Sequence, residues 1–142
     1  MITVRFYEFG QVEDSLLKFA VILAKSGGKW VFCKHRERDT LEVPGGHREK
    51  GETVDEAAVR ELREETGAAE FAVRPVCVYS VTRDGAEESF GGLYTAKILE
   101  FRELHSEIEQ IVLLEEPPAD GWTYPDIQPK LLEEARKRGA VT

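Results

Sequence analysis

Residues 46–68, GHREKGETVDEAAVRELREETGA, join a glycine turn to a segment with more carboxylates than a solvated helix needs. Glu61, Glu64 and Glu65 recur at i, i+3 and i+4, a spacing that stacks side chains on one face of an α-helix. Like charges confined to one volume repel, so a cation belongs among them. Hard carboxylate oxygens suit Mg²⁺ or Mn²⁺ better than zinc or copper. The spacing thus points to chemistry at a bound divalent cation.

The pattern extends beyond the acids. Gly46, five residues, Glu52, seven residues and then Arg60-Glu61-Leu62-Arg63-Glu64-Glu65-Thr66-Gly67-Ala68 resemble the Nudix box, G-x5-E-x7-R-E-U-x-E-E-x-G-U, where U is aliphatic. The resemblance implies hydrolysis of a nucleoside diphosphate linked to another group, by attack of water on phosphorus with Mg²⁺, or Mn²⁺, as cofactor. Carried over by position, it implies Glu61, Glu64 and Glu65 as the metal-ligand and base set, with Glu61 the favoured base. Arg60 would orient a box glutamate, Glu52 would stand behind the ligands or among them, and a carbonyl at Gly45 would reach the metal. A further acid is expected from the loop before the late strand, with Glu107 the candidate and Glu109 the runner-up.

Around this stretch the chain reads as alternating strands and helices. Residues 1–9 form an opening strand and 11–15 a polar connection. Residues 16–24, LLKFAVILA, fit a strand buried on both faces, and the turn at 26–29 hands over to a strand at 30–33. Leu41-Glu42-Val43-Pro44-Gly45-Gly46 is a short strand broken by proline and glycine, where glycine permits close backbone approach and positive φ. The helix runs over 53–66, with Val54, Ala58 and Leu62 inward, Ala57 and Val59 flanking, and Gly67 as its stop. Residues 71–81 and 89–99 make a second hairpin, with an edge or bulge at Pro75 and a weak point at Gly91-Gly92. A charged connection over 100–110, a short strand at 111–114 and a terminal helix at 129–137 complete the chain. This order predicts a single α/β domain over residues 1–142, a mixed sheet between helices in an α/β/α sandwich, as the Nudix resemblance also implies.

Composition narrows the function classes. A net charge of −8 disfavours a broad face for long nucleic acid but leaves small anionic substrates open, since a metal and a few bases can invert the field locally. Lys34, His35 and Arg36 lie in a local basic cluster that the resemblance places at the substrate opening. Tyr124 and Asp126, with Trp122, precede the terminal helix as base-contacting candidates. Cys33 and Cys77 sit in apolar runs and read as buried thiols. No run approaches the roughly 20 apolar residues of a membrane span, and the first ten residues have acids and aromatics where a signal peptide is basic and then apolar; a cytoplasmic protein is expected.

Within the family, substrate markers are sparse here. Residues 82–86 hold neither the proline of ADP-ribose hydrolases nor the tyrosine of dinucleoside polyphosphate hydrolases. By elimination, the compact length and the Leu41–Gly46 approach look most like (d)NTP pyrophosphohydrolases of the 8-oxo-dGTP type. ADP-ribose, dinucleoside polyphosphate and nucleotide-sugar substrates stay open, as does a non-catalytic nucleotide sensor. The family also makes a homodimer possible.

Overall fold

The computed structural model describes residues 1–102 and 108–141. The elements are β1 (Ile2–Tyr7), a 3₁₀ turn (Asp14–Leu16), β2 (Leu17–Ser26), β3 (Lys29–His35), β4 (Gly45–His47), α1 (Val54–Thr66), β5 (Ala68–Arg83), β6 (Ser89–Phe101), β7 (Ile108–Leu114) and α2 (Gln128–Lys137). The strands form one sheet in the order β1-β5-β6-β2-β3-β7, with β4 paired to β2. Only β2 and β6 run parallel; every other named pair is antiparallel, so the sheet is mixed as expected.

Both faces of β2 are covered, which explains its unbroken apolar sequence. Ile22 and Ala24 enter a core with Val54, Ala57, Ala58 and Leu62 of α1. Leu23, between them, enters a second core with Leu131, Leu132 and Ala135 of α2. The period of 2 along β2 therefore feeds two cores, and the sheet lies between the two helices. Leu16 does not join the strand: it closes the 3₁₀ turn and is exposed.

β2 is shared lengthwise by two partners. Ala24, Lys25 and Ser26 pair with β3, whereas Phe19, Ala20 and Val21 pair with His47, Gly46 and Gly45 of β4, respectively. The short strand expected over 41–46 is thus displaced towards 45–47, and Leu41 and Glu42 make only single bridges, to Trp122 and Cys33. This displacement carries the glycine pair into the sheet, directly beside α1.

Helix α1 begins at a capping box: Thr53 Oγ1 accepts from Glu56 N–H (3.0 Å) and Glu56 Oε1 accepts from Thr53 N–H (2.8 Å). Gly67 ends it in the left-handed region at φ 75°. Pro75 falls where β5 shifts register against β6 and lies beyond the stretch of β5 that pairs with β1, so it is at once a bulge and an edge position. Gly91 and Gly92 do not weaken β6. A Cβ on Gly91 would stand 2.7 Å from the Tyr79 ring, so the glycine makes room for a buried tyrosine. Strands β6 and β7 extend into the expected 100–110 connection, leaving it shorter than the charge pattern suggests.

Candidate active site

The box acids do lie on one side of α1, but in unequal surroundings. The side chains of Glu61 and Glu65 are 12% and 14% exposed, whereas Glu64 is 55% exposed. Glu65 Oε1 accepts from Gly45 N–H at 2.8 Å. Glu61 rests against Gly46 so closely that a Cβ there would stand 2.5 Å from its Oε2. A Cβ on Gly45 would stand 2.5 Å from the Ala20 carbonyl oxygen. Neither glycine has positive φ. The glycine pair is therefore required by close approach alone, and the conformational freedom expected of it is not used.

Arg60 gathers the acids. Its Nε and Nη2 bind both oxygens of Glu52 (2.6 and 3.0 Å), and Nη1 binds Glu61 (2.6 Å) and Glu64 (3.2 Å). Nη2 also donates to the His47 carbonyl at 2.9 Å, and Glu49 lies 3.2 Å from Nε. A planar guanidinium suits this fork geometry in a way that a lysine would not. Glu52 thus fixes Arg60, and Arg60 fixes the rotamers of Glu61 and Glu64.

The electrostatics follow from these contacts. The Arg60 hydrogen bond, with the Glu49 backbone, holds the Glu52 carboxyl down at about 2. The Arg60 guanidinium is raised in turn by the same bond. Burial pushes Glu61 the other way, upward from an ordinary glutamate; Arg60 opposes the rise, and Glu64 and Glu49 add to it. Behind the acids, burial and then the charges of Glu65, Glu42 and Glu61 raise the Cys33 thiol, so Cys33 is an inert neighbour. Burial likewise pushes Cys77 up to about 11.

A cleft of about 320 Å³ opens on the other side of the glycine pair. Phe19, Val21, Tyr79 and Leu131 form apolar walls, Gly45 and Gly46 lie on the side towards the acids, and Arg83, Tyr124 and Gln128 supply polar groups. The size and the sparse polar groups are those of a small-molecule site. Gln128 is buried and its Oε1 accepts from Val43 N–H at 2.9 Å, so α2 holds the cleft wall.

The remaining expected residues divide. Tyr124 lines the cleft; Asp126 is exposed and does not. Trp122 is buried edge-on to Phe32 (5.4 Å, 85°), with its indole N–H donated to the Pro118 carbonyl. Lys34 stands in β3 opposite Gln110, and Arg36 is exposed in the turn that follows. His35 faces carboxylates rather than an open mouth, with Nε2 2.9 Å from Glu42 Oε1. Glu107 lies outside the described residues. Sequence reasoning missed Gln128, Arg83 and Arg48. Arg48 binds the Glu52 carbonyl and Asp14, so it staples the loop before α1 to the 3₁₀ turn. No local pattern marks any of the three.

The NUDIX domain family pattern matches residues 15–120. The chain is similar to a putative 8-oxo-dGTP diphosphatase, YtkD, of Bacillus subtilis (strain 168), 39% identical over 64 residues; the match spans 45% of this chain and 40% of that protein. The chain's fold is similar to that of the Bacillus subtilis pyrophosphohydrolase BsRppH, with TM-score 0.82 and 25% identity over 99% of this chain and 94% of that one. The fold is also similar to that of a C. elegans Ap4A hydrolase, with TM-score 0.64 and 16% identity over 87% of this chain and 100% of that one. With the pattern covering most of its length and the box acids gathered around Arg60 and the glycine pair, the chain belongs to the NUDIX domain family, the family of the Nudix hydrolases.

Proposed function

We propose that the protein hydrolyses a phosphoanhydride of a nucleoside triphosphate, 8-oxo-dGTP being the favoured substrate, to the monophosphate and pyrophosphate with Mg²⁺ as cofactor. The observation that carries this reading is the glycine pair, which separates the cleft from the acids by a single strand: Glu65 is bound to Gly45 N–H and Glu61 lies on Gly46. A base in the cleft would direct its phosphates over these glycines towards the carboxylates.

The acids fit a hard divalent cation. Arg60 supplies one positive charge against the four carboxylates of Glu49, Glu52, Glu61 and Glu64 that it touches, so a cation deficit remains. Glu61, Glu64 and Glu65 would hold Mg²⁺, together with the Gly45 carbonyl and Glu107 as the family resemblance suggests. When bound, Mg²⁺ neutralises phosphate charge and acidifies an attacking water. The chain's own part is orientation and proton transfer. Glu61, shielded from solvent and bound by Arg60, would accept the proton of that water. Arg60 keeps that carboxylate aimed, and Glu52 keeps Arg60 in place. The apolar walls of the cleft exclude water around the base, and Tyr124 offers it a ring for stacking. The partner is thus a small nucleotide.

The test is incubation with Mg²⁺ and dGTP, 8-oxo-dGTP, ADP-ribose, diadenosine polyphosphates and a nucleotide sugar, with products separated by chromatography. Triphosphates are expected to give monophosphate and pyrophosphate, with the highest kcat/KM for 8-oxo-dGTP. Cleavage of a linked dinucleotide or sugar nucleotide alone would overturn the substrate assignment. Tight nucleotide binding with no metal-dependent product would make the protein a sensor.

A further inference from the structure

His35, Glu42 and Glu65 come together from three separate elements. His35 ends β3, and Glu65 lies in the last turn of α1. Glu42 is held beside β3 by a bridge to Cys33, with Cys33 N–H to the Glu42 carbonyl at 2.7 Å and the reverse bond at 3.1 Å. One ligand atom from each of the three lies within 4.8 Å of the others. His35 Nε2 is 2.9 Å from Glu42 Oε1 and 4.0 Å from Glu65 Oε2. All three side chains are largely shielded, at 22%, 9% and 14% exposure.

The orientation of the carboxylates is set from outside the group. Glu42 Oε2 accepts from Arg38 Nη1 at 3.2 Å, and Glu65 Oε1 accepts from Gly45 N–H at 2.8 Å. The second oxygen of each carboxylate is thereby turned towards the same imidazole nitrogen. Outer hydrogen bonds of this kind orient the ligands of metal sites. Donor atoms at about 2.1 Å from an ion stand about 3.0 Å apart when adjacent and about 4.2 Å apart when opposite, and the two measured separations fall near those limits.

We infer that His35, Glu42 and Glu65 form a further divalent-cation site, one that takes an ion with affinity for imidazole nitrogen. One nitrogen and two carboxylate oxygens favour Mn²⁺, Co²⁺ or Zn²⁺ over Mg²⁺, which prefers oxygen and gives up its water reluctantly. The site goes beyond the proposed catalytic one. It uses His35 and Glu42, which the box does not contain, and meets the box acids only at Glu65. Mn²⁺ should therefore occupy one more position per chain than Mg²⁺.

The test is Mn²⁺ binding by the full chain, counted from the electron paramagnetic resonance signal of free Mn²⁺, for wild type, His35→Gln and Glu64→Gln. His35→Gln should bind one Mn²⁺ fewer per chain, and the ion it loses should be the one that saturating Mg²⁺ fails to displace from wild type. Glu64→Gln should keep that ion. An unchanged Mn²⁺ count in His35→Gln overturns the inference and leaves the box reading untouched. If Glu64→Gln instead binds Mg²⁺ and Mn²⁺ as wild type does, the box reading falls while the His35 site stands. A readout free of any variant is the ring spectrum of His35 in Mg²⁺-saturated wild type. Substoichiometric Mn²⁺ should broaden these signals selectively, and sharp His35 signals at that stage would also overturn the inference.

Discussion

Replacing Gly46 by alanine should cut activity about 100-fold while leaving the fold intact. The added Cβ would stand 2.5, 2.6 and 2.9 Å from Oε2, Cδ and Oε1 of Glu61. Ordinary contact begins near 3.4 Å, so the carboxylate must retreat by about 1 Å, and a misplacement of about 1 Å in a catalytic group costs roughly 100-fold in rate. Stability should barely change. The clashing atoms are the end of a flexible side chain, Gly46 has no positive φ to strain, and Gly→Ala at a compatible position gains about 0.4–1 kcal/mol through the unfolded chain. Gly45→Ala is the control with the opposite signature. Its Cβ would meet the Ala20 carbonyl oxygen at 2.5 Å and Val21 Cα at 3.1 Å, backbone atoms of a central strand that cannot step aside. Overpacking of that kind costs about 1–3 kcal/mol, or roughly 3–10 °C in Tm for a domain of this size. Steady-state release of pyrophosphate from 8-oxo-dGTP and thermal melts by circular dichroism measure both effects. Gly46→Ala turning over within about 3-fold of wild type, or melting as low as Gly45→Ala, would refute the account of the glycine pair.

Three further outcomes follow from the charges and the cleft. Glu52 has its pKa lowered to about 2 in the folded protein from an ordinary 4.5, so its stabilisation is complete above about pH 4.5 and is lost as pH falls towards 2. The Tm gap between wild type and Glu52→Gln should be widest near neutrality and close across that window; a gap constant from pH 7 to 2.5 would contradict the Arg60–Glu52 assignment. Glu61 has the opposite sign: its folded pKa is raised, so the ionised form costs stability at neutral pH and the cost fades as pH falls through that pKa. In EDTA at pH 7, Glu61→Gln should melt at or above wild type, and Mg²⁺ should raise the melting point of wild type more than that of the variant; a lower melting point for the variant in EDTA would count against the burial argument. Tyr124→Ala should raise KM for the nucleotide about 5-fold, the lower end of a base-stacking contribution, with kcat unchanged. A fall in kcat alone would place Tyr124 elsewhere in the reaction.

What was legible in the sequence is what local spacing determines. The i, i+3, i+4 acids, the inward stripe at Val54, Ala58 and Leu62, and the Gly67 stop all follow from the helix period, and the structure contains each. The alternating coverage of β2 was legible for the same reason. The reason for Gly45 and Gly46 was not, because the atoms that forbid a side chain there belong to Ala20 and Glu61, distant in sequence. Trp122 shows the converse: aromatic type and position suggested a ligand contact, but Phe32, on β3, packs against it and it is buried. His35 was read with its basic neighbours, whereas the Cys33–Glu42 bridge turns it towards acids. Gln128 and Arg83 acquire their place in the cleft only when α2 packs across the sheet to which β5 belongs.

The central claim is that the carboxylates gathered at the glycine pair carry out Mg²⁺-dependent hydrolysis. Glu65→Gln tests it most directly, since a glutamine carbonyl can still accept the Gly45 N–H that Glu65 Oε1 accepts at 2.8 Å, so the fold keeps its contact while the charge is removed. Turnover of 8-oxo-dGTP at saturating Mg²⁺ should fall by about 100-fold or more with an unchanged melting profile. Turnover equal to wild type would contradict the account and remove the box carboxylates from the chemistry.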